Sequence, residues 1–174
     1  MRQGELLGLH EQNCDFLSLE FDIQQQMQYT KETGRVLKDC KQHSKGRIPM
    51  NPELVFVLKR QINQNHARRE RYKELGLYHD NGLVFCKWNG DPLDGGKITK
   101  EFQALLEANG LPKIRFHSLR HTFATMARSA GVSLQDLQKV LRHKHYDTTD
   151  QFYAHTEIEE LKKSFNKMWE FTQR

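Results

Sequence analysis

One stretch of the sequence concentrates side chains that move protons and bind phosphate. Residues 116–157 contain five histidines, three arginines and two tyrosines. A histidine changes its charge near neutral pH, and an arginine binds two oxygens of one phosphate through its planar fork. A tyrosine hydroxyl can act as a nucleophile when neighbours activate it. The stretch therefore points to chemistry at an anionic group such as phosphate.

Histidine spacing in this stretch also raises metal binding. His117 and His121 are four residues apart, and His143 and His145 are two apart, so each pair could share one ion. No carboxylate or cysteine stands at companion spacing, and we expect no metal; His121, His145 and His155 are assigned structural roles. A helix-turn-helix over residues 126–141 is a further alternative, although any two helices joined by glycine give that pattern.

A helix is predicted over residues 116–131, ending at Gly131, with Ser133 capping the next helix. At 100° per residue its side chains divide into two faces. The predicted core face carries Leu119, Phe123, Met126 and Ala130, and the opposite face carries His117, Arg120, His121 and Ala124. We expect the second face to carry the chemistry.

Turn signals and periodicity place the other elements. The predictions are a short helix in 1–9, strands in 21–29, 36–40 and 47–50, a long helix from Pro52 to just before Gly76, a short strand in 82–86, a helix over 98–109, and helices through most of 134–171. The fold class predicted is mainly α with a small antiparallel three-stranded β-sheet, that is, α+β.

Composition narrows the class of protein. Lys and Arg total 27 against 22 acidic residues, and the net charge of +5 favours an anionic partner. Three widely spaced cysteines without a CxxC motif argue against a disulfide framework and favour the cytoplasm. No apolar run is long enough to span a membrane. The 174 residues suit one domain, and we expect it to be truncated at its N-terminus, since a helix begins almost at once.

The order of several short motifs resembles the tyrosine recombinases, the phage integrase family. "HSLRHTFA", "LRH" and "TTDQFYAH" resemble its C-terminal motifs. "MRQGELLGL" resembles its first arginine box, "KQHSKGRIPM" its lysine hairpin, and "GLVFCKWNGDPL" the strand and turn before the helix leading into its HxxR motif. The resemblance covers nearly the whole chain. It implies a tyrosine recombinase catalytic-domain fold without the family's N-terminal DNA-clamping domain and first helices.

The resemblance also implies a reaction and the residues for it. Tyr153 would attack the scissile phosphate, forming a 3′-phosphotyrosine and freeing a 5′-hydroxyl, with no metal, nucleotide or other cofactor. Arg2 and Arg120 match the two family arginines, whose forks would stabilise charge on the phosphate. His117 would accept or relay the tyrosine proton. His143 matches a position that would hydrogen-bond a nonbridging oxygen.

Lysines near the hairpin motif supply the candidate general acid. Lys41 is our candidate for protonating the 5′-oxygen, and Lys38 and Lys45 are close enough to compete. A basic run, residues 59–73, is either a solvated helix face or a contact to backbone phosphates.

Two further charged residues bear on the site. Glu5 follows Arg2 by three residues and either orients it on one helical face or is an exposed surface residue. Arg142 stands before His143, where family members often have glycine. This departure either adds a phosphate contact or disturbs the turn.

The function implied by the resemblance is site-specific DNA recombination, with double-stranded DNA as partner. Family members assemble four protomers on two duplexes; in isolation a monomer is possible. The amphipathic tail, residues 157–174, packs either on a neighbour or on its own core. We expect a bacterial or phage-encoded protein in the cytoplasm. Two other functions stay open, DNA relaxation of the type IB topoisomerase kind and a noncatalytic DNA-binding remnant.

Overall fold

The computed structural model describes residues 1–41, 44–142 and 154–172. Its helices are α1 (Gln3–Leu7), a short 3-10 helix (Glu11–Asn13), α2 (Pro52–Lys73), α3 (Gly95–Ala108), α4 (Ser118–Ser129), α5 (Leu134–Leu141) and α6 (Ala154–Thr172). Its strands are β1 (Cys14–Asp15), β2 (Glu20–Ile23), β3 (Gln25–Thr30), β4 (Gly34–Asp39) and β5 (Gly46–Pro49). The predicted mainly helical fold is confirmed. No helix in the described ranges has the length and apolar character that a membrane span requires.

A small antiparallel three-stranded sheet is present as predicted, with β2 at its centre. Its strands are β1, β2 and β5, so the strand predicted at 36–40 lies outside it. Phe21 of β2 lies opposite Cys14 of β1 on one side and opposite Ile48 of β5 on the other. The single strand predicted over residues 21–29 is instead divided at Gln24 into two strands, which lie in different sheets. The second part, β3, pairs with β4 in a separate two-stranded hairpin.

Capping side chains mark the helix starts, and α2 and α5 begin as predicted, whereas α3 begins at Gly95 instead of residue 98. The Asn51 side chain accepts from the Glu53 amide at 2.8 Å, and Pro52 opens α2. Asp94 caps α3 by accepting from two amides. Ser133 caps α5 by accepting from the Asp136 amide at 3.0 Å. These caps satisfy amides that have no partner within their helices.

The strand predicted at residues 82–86 is wrong. This segment forms only isolated bridges, one between Leu83 and His10 and one between Cys86 and Pro92. Asn65, buried on α2, donates to the carbonyls of Leu83 and Val84 at 3.2 and 2.9 Å. The carbonyls of this segment thus accept hydrogen bonds from a helix side chain. In a β-strand they would accept from the backbone of a neighbouring strand.

Two apolar clusters form the core, and α6 contributes to both. The first is centred on the three-stranded sheet and includes Ile158 and Leu161 of α6. The second lies between α4 and α5 and includes Met168. Phe165 stacks on Phe123 of α4 with ring centroids 5.4 Å apart. In this structure, the described part of the tail therefore packs on its own core.

The apolar face of α4 differs from the prediction. Leu119 and Met126, expected in the core, are 42% and 38% exposed, whereas Ala127 is fully buried. The inward face is rotated toward Phe123, Ala127 and Arg120. The periodicity of large apolar residues missed this because the small Ala127 allows close helix packing and Arg120 must reach a polar site.

The packing of α6 can be tested with Leu161→Ala. Leu161 is 5% exposed within the sheet-centred cluster, so truncation is expected to lower the free energy of unfolding by about 2–5 kcal/mol. Urea unfolding monitored by circular dichroism measures the change. Leu105→Ala on α3, where the side chain is 61% exposed, is the matched control and should change stability by less than about 1 kcal/mol. Equal effects of the two substitutions on stability would contradict the packing of α6 on the core of its own chain.

Candidate active site

Arg2 and Glu5 interact at the start of α1. Glu5 is 1% exposed, and its carboxylate accepts from the Arg2 backbone amide and from Arg2 Nη1, both at 2.7 Å. These two hydrogen bonds cap the first turn of the helix and fix the arginine side chain. Of the two alternatives for Glu5, the orienting role is confirmed, and the exposed-surface alternative is wrong.

Arg142, at the C-terminal end of α5, contacts the same carboxylate. It terminates α5 in the left-handed region, with φ 52° and ψ 55°, and its buried guanidinium donates through Nη2 to Glu5 Oε2. Glu5 is therefore shared between two guanidinium groups. The Arg142 side chain thus contacts Glu5, and its backbone forms part of the turn beside Arg2. Arg142 is therefore part of this site.

The turn after α5 also binds the two arginines that the sequence selected. Arg120 Nη2 donates to the carbonyl of Leu141, and Arg2 Nη2 lies 3.5 Å from the carbonyl of Arg142. The last carbonyls of a helix lack partners within that helix and carry partial negative charge. Arg2 and Arg120, which are 118 positions apart in sequence, therefore meet at one helix end.

Burial and charge shift the pKa values of this cluster. Burial alone would raise the pKa of Glu5, but hydrogen bonds from Arg2, the charge of Arg142 and its hydrogen bond outweigh it, so the pKa lies below the ordinary value. Burial, reinforced by the charge of Arg2, lowers the pKa of Arg120 to about 10. Three guanidinium groups facing one carboxylate leave the site with an excess of positive charge.

Close backbone packing sets α1 against the β3–β4 hairpin. A Cβ at Gly8 would lie 2.9 Å from Gln26 Cα, and one at Gly4 would lie 2.8 Å from the Met27 carbonyl oxygen. Only glycine permits this approach. Gln3 fixes the other side of α1 by donating to the Gly95 carbonyl at 3.0 Å. These contacts thus fix the position of α1, and with it Arg2, relative to the hairpin.

The three candidate lysines differ in their surroundings. Lys45 forms an ion pair with Asp39 at 2.8 Å, and this hydrogen bond lowers the pKa of Asp39. Lys41 is exposed and follows Cys40, which is buried and donates its amide to the Gln24 carbonyl at 2.8 Å. Lys38 is exposed on β4. Among the described residues, Lys41 and Lys38 have neither an ion pair nor a side-chain hydrogen bond.

The loop that begins at Lys41 approaches the arginine site. The Ser44 amide donates to the Lys41 carbonyl at 2.6 Å, and Ser44 Oγ lies 3.4 Å from Arg2 Nη1. The Lys41 backbone is therefore hydrogen-bonded to a residue whose side chain contacts Arg2. This contact favours Lys41 over Lys38, which lies further back along β4.

His117 lies at the N-terminus of α4, one turn before Arg120. Its carbonyl accepts from the Arg120 amide at 3.1 Å, its side chain is exposed, and its ring meets that of His121 edge to face at 5.2 Å. In the part of the chain that the structure describes, no group of three or more metal-binding side chains is present. The other two candidates, His143 and Tyr153, lie outside the described residues.

The arrangement suits binding of an oxyanion. Arg120 Nη1, Arg142 Nε and Arg142 Nη1 are buried and have no hydrogen-bond partner within residues 1–41, 44–142 and 154–172. Buried donors of this kind are normally satisfied, and guanidinium groups bind phosphate oxygens strongly. The sequence motifs predicted Arg2 and Arg120, which the structure brings to one helix end, but left the role of Arg142 open. The signal was a large charged residue at a turn position suited to glycine.

The fold is that of tyrosine recombinase catalytic domains. The Tn1549 transposon integrase, solved with circular intermediate DNA, superposes with a TM-score of 0.70 at 24% identity, covering 92% of this chain and 56% of that one. At this identity the likeness concerns the fold alone. The chain belongs to the phage integrase family, whose sequence profile matches residues 1–160.

Curated relatives are longer than this chain. A tyrosine recombinase XerC-like protein of Caldanaerobacter subterraneus subsp. tengcongensis is 31% identical over 167 residues, covering 89% of this chain and 42% of the relative. The integrase of Staphylococcus phage L54a is 28% identical over 159 residues, covering 89% of this chain and 44% of the relative. The chain thus spans less than half the length of either relative.

Glu5→Gln tests the shared carboxylate. The substitution leaves two guanidinium groups without their counter-charge and is expected to cost about 3 kcal/mol of stability at pH 7, toward the low end for a broken buried pair because Arg2 is partly exposed. Since the folded-state pKa lies below the ordinary 4.5, this stabilisation is present above that value and is lost as pH falls through the folded-state pKa.

Thermal and urea unfolding between pH 7 and pH 3 measure this dependence. The difference between wild type and Glu5→Gln should shrink as the solution is acidified. Glu32→Gln, at an exposed position in the β3–β4 turn, is the matched control and should follow wild type throughout. A difference in stability that stays constant down to pH 3 would contradict the lowered pKa.

Proposed function

We propose that this chain is the catalytic part of a site-specific DNA recombinase that cuts and rejoins double-stranded DNA through Tyr153. One observation carries the proposal. Arg2 and Arg120, the two arginines selected by the sequence motifs, are bound to neighbouring carbonyls of one turn. The membership of the phage integrase family and the names of the relatives support recombination as the biological outcome.

In the proposed reaction, Arg2 and Arg120 bind the nonbridging oxygens of the scissile phosphate. Their charge stabilises the extra negative charge of the pentavalent transition state, the task a metal performs in other nucleases. Burial favours this because electrostatic interactions are stronger where water is excluded. His143 donates a further hydrogen bond to the phosphate.

The proton movements close the reaction. The Tyr153 hydroxyl attacks phosphorus while His117 accepts its proton, and the bond from phosphorus to the 5′-oxygen breaks. Lys41 protonates that oxygen, so the products are a 3′-phosphotyrosine and a 5′-hydroxyl. Attack by the 5′-hydroxyl of another strand reverses these steps and rejoins DNA, with no external energy source.

The partners follow from this proposal. Double-stranded DNA is the substrate, and we propose that the exposed basic side chains of α2, among them Lys59 and Arg60, contact backbone phosphates. Strand exchange between two duplexes requires several active sites. We propose that four copies of the whole protein supply them. We propose the cytoplasm as the site of action. Of the open alternatives, the family membership favours recombination over topoisomerase activity, and the noncatalytic alternative is decided by the next experiment.

The nucleophile is tested with a nicked suicide substrate, from which the cleaved end diffuses away. Wild type should form a covalent protein–DNA adduct that survives SDS, with and without EDTA. Tyr153→Phe should form none, since it lacks the attacking oxygen. Tyr146→Phe, the matched control in the same stretch, should retain adduct formation. An adduct with Tyr153→Phe, or none with any form of the full-length protein, would contradict the proposed function.

The general acid is tested by changing the leaving group. Lys41→Ala is expected to slow single-turnover cleavage about hundredfold or more on ordinary DNA. On DNA with sulfur in place of the 5′-bridging oxygen, the leaving thiolate needs no proton, so the defect should largely disappear. Lys45→Ala, in the same loop, should lack this pattern. Sulfur rescue of Lys45→Ala instead of Lys41→Ala would assign the role to Lys45.

A further inference from the structure

Arg142 occupies a position that disfavours it twice. Its backbone is left-handed, with φ 52° and ψ 55°, a conformation that strains residues with a Cβ and suits glycine. Its charged side chain is 5% exposed, and buried charges are unfavourable without a partner. Glycine would remove the strain and the buried charge together, so the guanidinium must supply something that the turn alone does not.

The contact made by Arg142 is with Glu5, the same carboxylate that orients Arg2. Glu5 accepts twice from Arg2, at 2.7 Å each, and once from Arg142. Arg142 also presents its backbone carbonyl to Arg2 Nη2 at 3.5 Å. Arg142 therefore contacts Glu5 through its side chain and Arg2 through its backbone carbonyl.

The contact between Arg142 and Glu5 changes the net charge around Arg2. A carboxylate beside Arg2 orients the guanidinium but also cancels its charge toward any phosphate. A second guanidinium on the same carboxylate offsets that cancellation while leaving the orienting hydrogen bonds in place. Buried donors on Arg120 and Arg142 stay without partners in the described part of the chain, so the site retains both charge and hydrogen-bonding capacity for an anion.

We propose that Arg142 is a positioning residue of the cleavage reaction: by sharing Glu5, it lets this carboxylate orient Arg2 without neutralising the arginine pair that binds the scissile phosphate. This inference rests on the proposed function. It assigns to Arg142 an effect on anion binding that a turn residue without charge cannot have.

Three substitutions separate charge from backbone strain. Arg142→Gly removes both, Arg142→Asn keeps a residue that tolerates the left-handed region but lacks charge, and Arg142→Lys keeps charge. At saturating suicide substrate, Gly and Asn are expected to slow single-turnover cleavage by about tenfold to hundredfold, and Lys by less. Arg128→Asn, exposed at the far end of α4, is the matched control for loss of one charge and should cleave at the wild-type rate.

A double substitution distinguishes electrostatic from merely structural action. Adding Glu5→Gln to Arg142→Asn removes the negative charge that Arg142 offsets, while the amide oxygen of Gln can still accept from Arg2. The double variant should therefore cleave faster than Arg142→Asn alone. Loss of a purely structural contact predicts the reverse. Wild-type cleavage rates for Arg142→Gly and Arg142→Asn, or a double variant no faster than Arg142→Asn, would overturn the proposal.

A measurement without DNA keeps this test independent of catalysis. Inorganic phosphate should raise the midpoint of thermal unfolding of wild type and of Arg128→Asn by the same amount. The rise should be smaller for Arg142→Asn and should recover in the double variant. If no covalent adduct forms but these shifts follow the expected order, the proposed function fails and the role of Arg142 in anion binding stands. Equal shifts in all four proteins overturn that role.

Discussion

The buried carboxylate of Glu5 is the constraint on which the site depends. An unpaired carboxylate at 1% exposure would be strongly unfavourable, so the fold must bring cations to it. Arg2 comes from the start of α1 and Arg142 from the end of α5. Satisfying this one charge joins the start of α1 to the end of α5, which the sheet and helices α2 to α4 separate in sequence.

The surrounding packing serves the same constraint. Gly4 and Gly8 let α1 lie directly on β3, and Ala127 lets α4 approach the cluster that contains Leu141. Leu141 and Arg142 then present successive carbonyls to the arginines. Since interiors are packed to crystal-like density, a change in either contact would displace guanidinium groups whose value lies in their placement.

Sequence reasoning reached different depths for different residues. The starts of α2 and α5 were predictable because Pro52 and the Ser133 cap act locally. Arg2 and Arg120 were predictable through ordered motifs. The burial of Leu119 and the strand at 82–86 were wrong, because partners distant in sequence, such as the Asn65 amide, decide them. The sharing of Glu5 was likewise invisible, since 137 positions separate it from Arg142. The catalytic roles remain predictions for all six candidates: Arg2, Lys41, His117, Arg120, His143 and Tyr153.

The most direct measurement of the central claim identifies the atom of the protein that becomes linked to DNA. After cleavage of a suicide substrate, nuclease and protease digestion followed by mass spectrometry should yield one peptide that carries a nucleotide on Tyr153, joined through its 3′-phosphate. A nucleotide on any other residue, or one joined through a 5′-phosphate, would contradict the account.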